Sequence, residues 1–291
     1  MLNLTIVGRG AIGTLLAARC IEQNIAFQMW WRDAVTTPLS ITMKDGKQHQ
    51  FQQGKGQAPD ILILPLKAWQ IAPALDEFAE HIPTSCCIAL LHNGIGTETL
   101  ALNAFPDNPL VRLTTNRAAK KQQDTVLETG YGNSQAGWLR TPGDQVKQET
   151  EALFNRLLSP CEWHRDIRIP LWNKLAINCV INPLTAIHNI ANGGLQSPHY
   201  QQLIAQLLDE FLLVAQAEKL TFEKSDLEHN VSQVIAMTAE NYSSMHQDIH
   251  FKRPTEIDYI NGYLLQVAAS HGITLTAHQA LYAQIRQLES V

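Results

Sequence analysis

The spacing of apolar residues changes character part-way along this chain. In the first half, short runs without polar alternation recur at residues 4–7, 26–31, 61–64 and 88–91. Between them lie helix-like stretches, the first at 11–23, where Leu15, Leu16 and Ala18 precede the breaker Asn24. Short, fully apolar strands between helices indicate a parallel sheet covered on both faces, the doubly wound α/β class. Residues 125–129 and 137–140 are turn-bounded strands expected to extend that sheet as a hairpin.

From about residue 165 onward only helical periodicity remains. Helices are expected at 171–190, at 199–218 (with Leu203, Leu207, Leu208, Phe211 and Val214 on one face) and at 226–248. After Pro254 a fourth begins, with Thr255 as cap and Ile257, Ile260, Leu264 and Ala268 as its apolar stripe, and it should stop near Gly272. A last helix covers 277–288. The chain therefore divides into an α/β domain, residues 1–167, and an all-helical domain, residues 168–291.

The first strand runs into Gly8-Arg9-Gly10-Ala11-Ile12-Gly13 and the first helix follows. That strand–G-x-G-x-x-G–helix context is what a Rossmann-type dinucleotide site requires. Gly8 permits the tight turn, Gly10 lets backbone approach a pyrophosphate, and Gly13 lets helix and strand close up. The anion then meets unpaired N–H groups at the helix N-terminus. At the end of the second strand an acid would favour NAD and an arginine NADP. Here Trp31-Arg32-Asp33 puts the arginine first, which favours NADPH, with Asp33 weighing the other way. Lys67, just past the third apolar strand, faces either the cofactor or solvent. Asn93, in His92-Asn93-Gly94 at the end of the fourth, is either a ligand group or a turn residue.

Composition narrows the class. The chain has 291 residues, 45% hydrophobic and 17% charged, with a net charge of −5 and no basic stripe, which argues against a nucleic-acid partner. No apolar run is long enough for a bilayer, and the N-terminus lacks the basic region of a signal peptide, so a soluble, cytoplasmic protein is expected. Five scattered cysteines without C-x-x-C, and eleven histidines without H-E-x-x-H, predict neither a disulfide framework nor a metal.

The helical half carries two polar stripes. Lys174, Asn178 and Asn182 are spaced i, i+4, i+8, on one helix face. Their neighbours Leu175, Ile177, Val180 and Ile181 are apolar, and a lysine on a buried helix needs partners or a task. The alternative is a snorkelling lysine with helix-capping amides. Pro183 should kink or end this helix after Asn182. Asn241, Ser244 and Asp248 form the second stripe, with Met237, Met245 and Ile249 read as core. Glu256, opening the next helix, is equally explained by the macrodipole or by catalysis.

These blocks together resemble the ketopantoate reductase family over nearly the whole chain. The likeness rests on the glycine loop, Leu66-Lys67-Ala68-Trp69-Gln70, His92-Asn93-Gly94, the segment from Lys174 to Ala186, Asn192-Gly193, and the run from Asn241 to Ile249 leading to Thr255-Glu256-Ile257-Asp258. The resemblance implies NADPH-dependent reduction of ketopantoate, a 2-keto acid, in pantothenate and coenzyme A synthesis. It implies Lys174 as general acid and Glu256 opposite it, holding the substrate hydroxyl or the lysine. Asn178, Asn182, Asn192, Asn241 and Ser244 match substrate-binding groups, Asn93 the nicotinamide-side wall, and Arg32 and Lys67 the region of the 2′-phosphate. A homodimer is compatible with it. Arg9 in the loop and the bulky Trp30-Trp31 depart from the family pattern. The rival readings are a related two-domain 2-keto or β-hydroxy acid reductase and an inactive NADP-binding regulator.

Overall fold

The computed structural model describes residues 2–32, 38–54, 58–122 and 125–290. The chain forms two compact units: Met1–His92 with Thr97–Ile167, and Asn93–Gly96 with Arg168–Val291.

The first unit contains, in order, β1 (Leu4–Val7), α1 (Ala11–Glu22), β2 (Phe27–Trp30), β3 (Leu39–Thr42), β4 (Gln48–Phe51), β5 (Ile61–Leu64), α2 (Ala68–Phe78), β6 (Cys87–Leu91), α3 (Glu98–Ala104), β7 (Leu110–Thr115), β8 (Ala118–Gln122), β9 (Thr125–Gly130), β10 (Ser134–Arg140), α4 (Asp144–Leu157) and β11 (Cys161–His164). The main sheet has the order β11-β10-β7-β6-β5-β1-β2. Its strands from β2 to β7 run parallel, and every residue of β1, β5 and β6 is buried, as a sheet covered on both faces requires. The strand order reverses at β1, whose C-terminal end leads into Gly8; this is the switch point where doubly wound sheets take ligands.

The expected hairpin is not formed. β10 joins the main sheet antiparallel to β7, whereas β9 belongs to a second, four-stranded sheet, β4-β3-β9-β8. That sheet puts Leu39, Ile41, Phe51 and Val126 into one core with Leu15, Leu16 and Met29. It accounts for a first helix buried on more than one side: from Gly13 to Cys20 only Arg19 is not buried. Arg19 pairs instead with Glu22 at 3.2 Å and with Glu128 of β9 at 3.4 Å.

The second unit contains α5 (Arg168–His188), a 3-10 turn (Asn192–Gln196), α6 (Pro198–Ala217), α7 (Lys224–Met237), α8 (Ser244–His250), a second 3-10 turn (Ile257–Tyr259), α9 (Asn261–Ser270) and α10 (Thr276–Glu289). Two expectations are corrected, and that for Pro183 is narrowed. Pro183 does not end α5, which continues to His188. A proline cannot donate to the carbonyl four residues back. Here that carbonyl, Cys179 O, accepts from Asn261 Nδ2 at 3.1 Å, so the helix passes the proline without an orphaned acceptor. The expected helix 226–248 is two helices, since α7 ends at Met237, which is exposed rather than core. Ser243 then caps α8, accepting from His246 N and from Thr185 Oγ1 of α5. Asn241 therefore lies off the helix that carries Ser244 and Asp248. Finally, Thr255 Oγ1 accepts from Ile257 N as expected of a cap, but it starts a single 3-10 turn; α9 begins only at Asn261. Gly272, at φ +68°, ends α9 in the left-handed conformation glycine favours.

Candidate active site

In the first unit the glycine loop has the required geometry. Gly8 adopts φ +96°, and a Cβ there would lie 2.7 Å from Leu66 Cδ2. Gly13 is similarly confined, with Pro65 Cγ at 3.2 Å and Gly8 O at 3.3 Å from its would-be Cβ. Gly10 is the open member: it is exposed, and its nearest neighbour would be Pro65 O at 3.7 Å. As N-cap of α1 it offers no side chain, and the first helical turn holds no acid. A helix N-terminus with neither a capping side chain nor a first-turn acid fits a pyrophosphate, because its first N–H groups have no partner within the helix. Ala11 and Ile12 open the helix, and the Arg9 guanidinium lies over the Trp31 ring at 5.3 Å.

Arg32 stands at the end of β2, where the ribose 2′-position is read. Its Nε donates to Glu77 Oε2 at 2.7 Å and Nη2 donates to Pro73 O at 2.8 Å, both on α2. Asp33, the competing acid in the sequence, lies outside the described residues. Lys67 is the N-cap of α2; its backbone N–H donates to the Gln70 side chain.

In the second unit α5 carries three of the expected polar groups. Lys174, Asn178 and Asn182 all lie within this helix, the first two half-buried and Asn182 buried. Around them Leu175, Val180 and Ile181 are buried, so the lysine sits on a core helix. The Thr185–Ser243 hydrogen bond, 2.7 Å, ties α5 to the start of α8 and fixes Ser244, the next residue. Asn192 N donates to Asn241 O at 2.9 Å, which brings those two segments together. The Asn192 side chain donates to Thr238 Oγ1, while its buried Oδ1 meets no partner. Glu256 is 4% exposed and precedes a 3-10 turn, so an α-helix macrodipole does not explain it. The loop carrying Asn93 is seated on the segment that follows Glu256. Ile95 N donates to Tyr259 O at 2.9 Å, and a Cβ on Gly94 (φ +76°) would come within 2.5 Å of that oxygen.

One cluster had no signal in the sequence. Arg112 of β7, wholly buried, donates to Glu98 Oε1 (2.7 Å), to Leu113 O (2.6 Å) and to His92 O (3.1 Å), while His92 Nε2 bonds Thr97 Oγ1 at 2.7 Å. Burial pushes the Glu98 carboxyl up, but Arg112 and His92 beside it outweigh this and hold it below the usual range. The network fixes the strand end immediately before Asn93. Among the described residues, no group of three or more His, Cys, Asp or Glu side chains is arranged to hold a metal, and no helix is long and apolar enough to cross a membrane.

An α/β unit with a dinucleotide-type glycine loop, continued by a helical unit built around a lysine–amide stripe, defines the class: a two-part nicotinamide-dependent oxidoreductase. Within that class the chain belongs to the ketopantoate reductase PanE/ApbA family, whose N-terminal model matches residues 4–140 and whose C-terminal model matches residues 166–289. It is 36% identical over 292 residues to the 2-dehydropantoate 2-reductase of Vibrio cholerae, covering 99% of this chain and 98% of that protein. Among solved structures it is similar to D-mandelate dehydrogenase in complex with NADH and anilino(oxo)acetate (TM-score 0.89, 23% identity, 99% and 98% covered). It is also similar to the dimeric ketopantoate reductase from Staphylococcus aureus (TM-score 0.83, 20% identity, 99% of each chain).

Proposed function

We propose that this chain is an NADPH-dependent reductase of 2-dehydropantoate (ketopantoate), producing pantoate for pantothenate and coenzyme A synthesis. The carrying observation is the Lys174–Asn178–Asn182 stripe on a helix with a buried apolar face, in a chain of this family. Bound NADPH supplies a hydride from nicotinamide C4 to the keto carbon. The loop Gly8-Arg9-Gly10-Ala11-Ile12-Gly13 holds the pyrophosphate, Arg32 and Lys67 the 2′-phosphate, and Asn93 borders both nicotinamide and substrate. Negative charge develops on the carbonyl oxygen, and the Lys174 ammonium stabilises it and donates the proton that completes the alcohol. Glu256 holds the substrate hydroxyl or orients Lys174. Asn178, Asn182, Asn192, Asn241 and Ser244 fix the remaining polar groups of the substrate; amides suit this because each both donates and accepts. We extend the reading to a cytoplasmic homodimer, supported by the dimeric state of the Staphylococcus aureus structural neighbour.

The test is NADPH oxidation by the purified protein with ketopantoate beside a panel of other 2-keto acids, including phenylglyoxylate. The reading expects pantoate to form one-for-one with NADPH consumed and ketopantoate to have the highest kcat/KM. A better arylglyoxylate substrate would move the chain to another specificity on the same fold. NADPH binding without turnover of any acid would favour a regulator.

A further inference from the structure

Arg32 is held before any phosphate arrives. Pro73 and Glu77 are one turn apart on α2, and the guanidinium of Arg32 lies against both. These contacts engage Nε and Nη2, while Nη1 makes no hydrogen bond among the described residues. The pair is open to solvent, Arg32 being 58% and Glu77 32% exposed. An exposed ion pair of this kind contributes little to the fold. Its consequence lies in its place, at the end of β2, where an acid repels and a base attracts a 2′-phosphate. Glu77 brings to that place an acid from a different element, invisible in the Trp31-Arg32-Asp33 sequence.

We infer that Glu77 determines cofactor specificity: its carboxylate fixes Arg32 on α2 and opposes the 2′-phosphate, setting the preference for NADP(H) below what Arg32 alone would give. The inference rests on the proposed use of NADPH and on Arg32 as its 2′-phosphate ligand. A phosphate bonded to the free edge of the guanidinium stands roughly 6 Å from the Glu77 carboxylate, from ordinary hydrogen-bond lengths. At that range, in a solvent-exposed setting, repulsion between a carboxylate and a phosphate changes affinity by about fivefold at low salt, and less as salt screens it. NAD(H) has only a hydroxyl there, so it meets no such repulsion, and at roughly 6 Å it is too far to donate to the Glu77 carboxylate.

Glu77→Gln separates anchoring from charge, because the amide oxygen still accepts from Arg32 Nε. Calorimetric titration with NADP⁺ and with NAD⁺ would be run on the wild type, Glu77→Gln and Arg32→Ala, with thermal melting as a control for folding. The expected result is a NADP⁺ Kd about fivefold lower in Glu77→Gln, a NAD⁺ Kd within twofold of wild type, and a gain that shrinks at high salt. Unchanged or weaker NADP⁺ binding would overturn the inference, as would equal tightening for NAD⁺. If Arg32→Ala selectively loses NADP⁺ while Glu77→Gln changes nothing, only the role of Glu77 fails. If Arg32→Ala leaves the NADP⁺/NAD⁺ ratio at the wild-type value, the assignment of Arg32 fails and this inference with it.

Discussion

At the scale of single residues, the sequence reveals what is locally anomalous and hides what is paired at a distance. Lys174 stands out because an ammonium among buried aliphatic positions is costly without a purpose, and α5 does place it on a core helix. Arg112–Glu98 and Arg32–Glu77 leave no such mark, since their partners lie 14 and 45 residues apart with no periodic relation. His278 is another hidden residue, and it gives the molecule a pH dependence. Wholly buried, its Nδ1 accepts from Asn261 Nδ2 at 3.0 Å and its Nε2–H donates to Leu207 O at 3.0 Å, the pattern of a neutral imidazole. Burial depresses its pKa, only partly offset by the Leu207 carbonyl and Glu210. The folded form therefore resists a proton that the unfolded chain accepts below about pH 6.5. This contribution to stability is full above that pH and is lost as pH falls towards the folded-state value, at about 1.4 kcal/mol per pH unit for one proton. His246, depressed by burial and by His250, acts in the same direction. Melting temperatures between pH 7 and 5 should fall for the wild type, and the fall should be shallower, from a lower starting point, in His278→Gln. Equal slopes in both proteins would remove His278 from the acid limb.

At the scale of elements, legibility follows the strength of the periodic signal. The apolar strands β1, β5 and β6 and the helices α1, α6 and α10 match their expected positions within a residue or two. The second sheet was only partly legible: β9 was expected as a strand but assigned to the main sheet, and β4, which buries only Phe51, gives four residues with no pattern to detect. The break between α7 and α8 was hidden because the polar run from Thr238 to Ser244 contains nothing that forbids a helix; the stop depends on Ser243 bonding Thr185, a tertiary contact. Pro183 shows the opposite case, a helix carried past a local stop signal with the help of a partner from another helix. Asn261 makes that rescue testable. Asn261→Ala leaves the Cys179 carbonyl and His278 Nδ1 without their donor, so it should destabilise the protein by about 1–3 kcal/mol. In a Pro183→Ala background the cost should be smaller, because the new N–H at position 183 reaches the Cys179 carbonyl. Denaturant unfolding of the four proteins of this cycle gives the coupling; strict additivity would show that the proline and the asparagine do not share that carbonyl.

At the scale of the whole molecule, the change from strand to helix period separates the two kinds of core, and the glycine loop and the polar stripe fall on opposite sides of it. One segment escapes that division. Asn93–Gly96 clusters with the helical unit although its chain neighbours do not, because Gly94 and Ile95 rest on the backbone of Tyr259. No period in the sequence encodes such a backbone contact; His92-Asn93-Gly94 reads only as a turn or a ligand. Nucleotide binding is proposed for the first unit and proton donation for the second, so the two should be separable by mutation. The most direct test is the kcat of Lys174→Ala with ketopantoate, measured beside its equilibrium Kd for NADPH. The account predicts a kcat lower by about 10²–10⁴-fold, the usual worth of a general acid, with a Kd for NADPH close to wild type. A folded Lys174→Ala protein that binds NADPH normally and turns over within a few-fold of wild type would contradict it.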